Sequence, residues 1–138
     1  MNIFKKFKPE RVLRVCLGAM YLYSGIDLFR HPTAWQWALP YWLKQIILQF
    51  ADINSYLRFQ GIIEIIMALS FLAWFLKPAI VKWVAFISFI EMAVILILAF
   101  IPFREANFLI TFRDIGLLGA SFSLFLLMDK KDIQTASS

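Results

Sequence analysis

Phe112-Arg113-Asp114-Ile115-Gly116-Leu117-Leu118-Gly119-Ala120 sets an arginine and an aspartate side by side inside an apolar run that extends from Phe108 to Met128. A helix needs about 20 apolar residues to cross the ~30 Å hydrocarbon core of a bilayer, so this run reads as a membrane span. A charge at the centre of a span costs roughly 2.5 to 3.5 kcal/mol on insertion scales and persists where it meets a partner or a water-filled cavity. Arg113 therefore has to be answered by acids on other helices, and the rest of the chain is read for them.

The composition agrees with a membrane setting. Of 138 residues, 62% are hydrophobic and 17% charged, as in a polytopic membrane protein and unlike a soluble domain. The length suits one domain, 1–138. The net charge of +5 does not point to nucleic acid, because the basic residues sit at the ends of apolar runs and form no solvated face. Cys16 is the only cysteine, which excludes an internal disulfide and a dithiol pair. His31 is the only histidine, and no His/Cys spacing supports a metal or a haem. The first apolar run has no A-x-A-like site after it and is read as an uncleaved span.

Four spans are expected: Val12 to Phe29, Arg58 to Leu76, Ala79 to Ile101 and Phe108 to Met128, a four-helix transmembrane bundle. Arg14 is close enough to the start of the first span to snorkel to the interface. Ser24 and Tyr23 lie three and four residues before Asp27 and are expected on its helical face near the far end of the span. Residues 33–57 form an interfacial segment. Trp35, Trp37, Tyr41 and Trp42 suit the headgroup level, and Leu43, Ile46, Ile47 and Phe50 recur at helical spacing against Lys44, Gln45 and Gln49. A short amphipathic helix from about Pro40 to Phe50, lying on the membrane surface, is expected. It anchors the surface or caps a cavity. The tail from Asp129 to Ser138 is polar.

Lysine and arginine gather on one side. Lys5, Lys6, Lys8, Arg11, Arg14, Lys77, Lys82, Lys130 and Lys131 face Arg30, Lys44 and Arg104 on the other, which puts both termini in the cytoplasm. At about 1.5 Å per residue, Glu64 lies about 9 Å in from the outer end of its span and Arg113 about 7 to 8 Å in from its own. Asp27 and Asp114 lie nearer that surface, and Glu91 lies near the midplane. Glu64 is the first expected partner of Arg113, and Asp27 the second. Gly18, Gly25, Gly61, Gly116, Gly119 and Ala120 are of the kind that lets helices approach closely in a membrane. Four acids against Arg113, with Arg58 near the rim, exceed what structural pairing needs. Glu91, with no cation at its depth, is expected to be protonated or to bind a cation or a ligand donor.

Arg14-Val15-Cys16-Leu17-Gly18 leading to Ser24-Gly25-Ile26-Asp27, then Gly61-Ile62-Ile63-Glu64, then Arg113-Asp114-Ile115-Gly116-Leu117-Leu118-Gly119 together resemble the DoxX-like family of small membrane proteins, which includes the small subunit of thiosulfate:quinone oxidoreductase. The resemblance covers nearly the whole chain. It implies a four-helix bundle in the plasma (cell inner) membrane and, where redox work is done, a partner subunit that does it. The Trp-rich stretch and Glu91 are not assigned by it.

These readings combine into an expected membrane subunit that binds a quinone or similar lipophilic molecule beside Asp27, Glu64, Glu91, Arg113 and Asp114. Acids would accept protons and Arg113 would fix the polar head, with Arg58, Trp35, Trp37 and Trp42 at the rim. The partners implied are the bilayer and a redox subunit or a further copy of the chain. No covalently bound cofactor and no metal is expected. The alternatives are a non-catalytic scaffold whose ion pairs fix helix order and, further off, a small transporter.

Overall fold

The computed structural model of the protein describes residues 8–99 and 108–136, with side chains for all of them but 99, 108–113, 132 and 135–136. Every regular element among the described residues is helical: α1 Pro9–Arg30, a 3₁₀ helix Pro32–Ala38, α2 Tyr41–Ile47, α3 Ile53–Leu72, α4 Pro78–Ala99 and α5 Phe108–Ala136. Three of these, Pro9–Arg30, Ile53–Leu72 and Pro78–Leu98, are long and apolar enough to cross a membrane.

Local chemistry explains the boundaries. Pro9 occupies the first turn of α1, where its missing N–H removes no hydrogen bond. At the other end the His31 N–H closes on the Asp27 carbonyl at 2.7 Å, and Pro32 cannot continue the helix. The expected start of the second span at Arg58 is corrected: α3 begins at Ile53. Asp52 caps it, Oδ2 accepting from the backbone N–H of Asn54 at 3.0 Å and of Ser55 at 3.2 Å. It also stops at Leu72 and not at Leu76. The interfacial segment is two short helices, not one, because Pro40 separates them as the residue before α2. α5 runs through the expected polar tail to Ala136, since Lys130, Lys131 and Gln134 are good helix formers. The amino-terminal tail 1–7 and the turn 102–107 lie outside the described residues.

α1 packs along α3 and α4 along α5, while the α1–α5 and α3–α4 contacts are fewer. Each helix turns one seam inward: Arg14, Leu17, Gly18, Tyr21, Gly25 and Leu28 on α1; Leu57, Gly61, Glu64, Ala68 and Phe71 on α3; Val81, Ala85, Ser88, Met92 and Leu96 on α4; Asp114, Ser121, Leu124 and Met128 on α5. Steps of three and four residues give a period near 3.5, the knobs-into-holes pattern of near-parallel helix packing. α1 and α3 approach so closely at Gly25 and Gly61 that a Cβ on either would stand 2.7 Å from the carbonyl oxygen of the other.

Polar contacts tie the basic end together. Arg14 does not snorkel. It is buried, donates from Nε to the Phe71 carbonyl at 2.8 Å and from Nη2 to the Ala73 carbonyl at 2.6 Å, and lies over the Trp74 ring. Phe71 is in the last turn of α3 and Ala73 is its C-cap, so Arg14 supplies donors to carbonyls at a helix end that lack intrahelical partners. Lys82 meets Asp129 at 3.2 Å, and Lys131 meets Glu10 at 3.2 Å.

Candidate functional site

At the opposite end the four long helices do not close. α1 supplies Tyr21, Ser24 and Leu28 to a cavity of about 330 Å³; α3 supplies Leu57, Gln60 and Glu64; α4 supplies Glu91, Met92, Val94, Ile95 and Leu98; α5 supplies Asp114 and Leu117. The volume is at the small end of the range for ligand pockets, roughly 300 to 1,000 Å³. Its walls are mostly apolar, and its polar groups converge on the floor.

A strap formed by the 3₁₀ helix and α2 covers this cavity with Trp35, Ala38, Leu39, Pro40 and Leu43. Two polar latches hold the strap. The Trp35 indole N–H donates to Asp27 Oδ2 at 2.8 Å, and His31 Nδ1 lies 3.0 Å from Asp27 Oδ1. Gln36 Nε2 donates to Asn54 Oδ1 at 2.8 Å, joining the strap to the first turn of α3. The strap is thus tied to both helices that flank the opening.

The candidate residues fall into separate places. Glu64, Glu91 and Asp114 line the cavity, Glu64 and Asp114 being buried. Asp27 does not line it; it stands outside as the anchor of the strap. Trp35 lines the cavity, whereas Trp37, Trp42 and Arg58 are exposed. The Arg113 side chain, and with it the expected pairing to Glu64 or Asp27, lies outside the described residues. Among the described residues nothing lies within 4 Å of where a Cβ on Gly116 or Gly119 would stand, so the close packing expected around them is not made by these residues. Tyr23 is exposed, and it is Tyr21 that turns inward with Ser24.

Two polar features of the floor were not anticipated. Gln60 Nε2 donates to Glu91 Oε1, a direct link between α3 and α4. Glu91 Oε2 is buried and accepts no hydrogen bond among the described residues. Below them Tyr21 Oη and Ser88 Oγ are 2.7 Å apart and Ser88 Oγ and Ser121 Oγ 2.8 Å, a hydroxyl chain across α1, α4 and α5. The available signal was spacing: Tyr21 lies three residues from Gly18 and four from Gly25, and Ser88 three from Glu91. Among the described residues no group of three His, Cys, Asp or Glu side chains is placed to hold a metal ion. Compared with family profiles, curated proteins and solved structures, the chain shows no match.

Proposed function

We propose that this chain is an integral plasma-membrane protein of four transmembrane helices, α1, α3, α4 and α5, with both termini cytoplasmic, and that it binds a quinone or a similar lipophilic molecule in the strap-covered cavity. The supporting observation is the cavity itself: carboxyl groups of Glu64, Glu91 and Asp114 gathered under apolar walls, with an aromatic residue in the cover. The resemblance to DoxX-like proteins favours a subunit that works with a redox partner. Val94, Ile95 and Leu98 of α4 line the cavity and offer an apolar wall for the tail of such a molecule.

Arg113 enters this reading as the cation that would hold the polar head, one helical residue before Asp114. In this reading oxidation would be the work of a redox partner subunit. A scaffold reading is favoured by the Gly25–Gly61 contact and the ion pairs at the basic end. Purification in mild detergent, solvent extraction and mass spectrometry of the extract separate the two. A near-stoichiometric quinone that is lost in Glu64→Gln supports the ligand-binding subunit. An extract without quinone, together with no binding of added quinone, supports the scaffold.

A further inference from the structure

The floor of the cavity narrows the ligand further. Glu91 projects into the cavity from α4, and Gln60 occupies its Oε1. Its Oε2 is buried without a hydrogen-bond partner among the described residues. A buried carboxyl oxygen left in that state is costly, and a donor on a bound molecule removes the cost. The Tyr21 hydroxyl stands beside this carboxyl and 2.7 Å from Ser88 Oγ, a pair in which either oxygen can donate, so Tyr21 belongs to the same polar group as Glu91. The Trp35 N–H is engaged by Asp27.

Resting on the reading that this cavity binds a quinone-like molecule, we infer that the bound head group carries a hydroxyl that donates to Glu91 Oε2, so that the site takes the reduced, hydroxyl-bearing form in preference to the acceptor-only oxidised form. Gln60 acts as a positioning residue: by holding Oε1 it directs Oε2 to the ligand. The apolar tail lies along Val94 and Leu98 toward the lipid. This assignment adds Glu91 to Arg113 as a head-group contact.

The test is calorimetric titration of the full chain in phosphatidylcholine nanodiscs with two ligand pairs. One pair is decylubiquinol and decylubiquinone. The other is dodecylphenol and its methyl ether, which differ in the donor and undergo no quinone chemistry. The hydroxyl-bearing member is expected to bind about tenfold tighter, 1.4 kcal/mol at 25 °C, and Glu91→Gln is expected to abolish or reverse that preference. Equal or tighter binding of the acceptor-only members overturns the inference while leaving the cavity reading intact. A preference in the phenol pair with no binding of either quinone form supports the inference and removes the quinone. Binding of none of these ligands overturns both, and the wild-type comparison needs no variant to fold.

Discussion

Arg14 and Ser88 show how much a buried polar side chain depends on its partners. A guanidinium near the end of a span is free to reach the interface, yet Arg14 lies buried at 4% exposure with two carbonyls of α3 and the Trp74 ring around it. Its planar fork serves both carbonyls at once, which an ammonium cannot do in the same geometry. Arg14→Met should destabilise the protein by about 3 kcal/mol, because the two carbonyls lose charge-assisted bonds, with Arg14→Lys falling between. Chemical unfolding in detergent followed by helical circular dichroism checks the order; equal stability of all three proteins would remove the capping role. Ser88 is the shared partner of Tyr21 and Ser121. Ser88→Ala should cost about 1 to 2 kcal/mol, while the triple change with Tyr21→Phe and Ser121→Ala should cost less than the three single effects summed. Additive losses in the same unfolding series would show that the hydroxyl chain does not act as a unit.

Between helices, the glycines separate contact from mere composition. A Cβ on Gly61 would stand 2.9 Å from the Phe29 backbone N as well as 2.7 Å from the Gly25 carbonyl oxygen, so α1 and α3 would have to move apart. Gly25→Ala and Gly61→Ala should each cost about 1 to 3 kcal/mol, as overpacking does. Gly116→Ala and Gly119→Ala meet nothing within 4 Å and should be neutral or stabilising, up to the ~1 kcal/mol by which alanine exceeds glycine in a helix. Thermal unfolding of the four variants reads this contrast, and a loss at Gly116 comparable to that at Gly61 would contradict the packing. The same contrast explains what was legible in the sequence. Glycine marked a close approach in α1 and α3, but the identical residue in α5 marks only an exposed face. Lipid and core are both apolar, so hydrophobic periodicity does not tell inside from outside; Tyr21, Gln60 and Ser88 could be placed only from their spacing to other seam residues. The acids Glu64, Glu91 and Asp114 stood out because charge is rare within a span. Asp27 stood out equally, and only its bonds to Trp35 and His31 reveal that it holds the strap. The Asp52 cap was readable in Asp52-Ile53-Asn54-Ser55, though the aromatic run before it drew the helix start too late.

For the whole molecule, polarity divides between two ends. One carries Glu10 between Arg14 and Lys131, and the separate pair Lys82 and Asp129, around the start of α1 and α4 and the far part of α5; the other carries the acid-lined cavity and its strap. The strap's Trp37, Tyr41, Trp42 and Ile46 are exposed, as headgroup-level anchors would be. α5 is 29 residues long, about 43 Å at 1.5 Å per residue, so it exceeds the ~30 Å core and can cross it with its basic end in water. If α5 crosses, the chain makes an even number of passages and its carboxyl-terminal extension shares a side with the start of α1. If α5 lies on the surface, an odd number of passages puts that extension on the side of the strap. Single cysteines at exposed Thr33 in the strap and Ile133 on the α5 extension, in a Cys16→Ser background, distinguish these cases. A membrane-impermeant maleimide should label Thr33→Cys from the outer side of intact spheroplasts and Ile133→Cys only in inverted vesicles. Labelling of both from one side would make α5 a surface helix and reduce the protein to three crossings. That outcome would also contradict the Lys131–Glu10 and Lys82–Asp129 contacts, which hold the α5 extension beside the starts of α1 and α4.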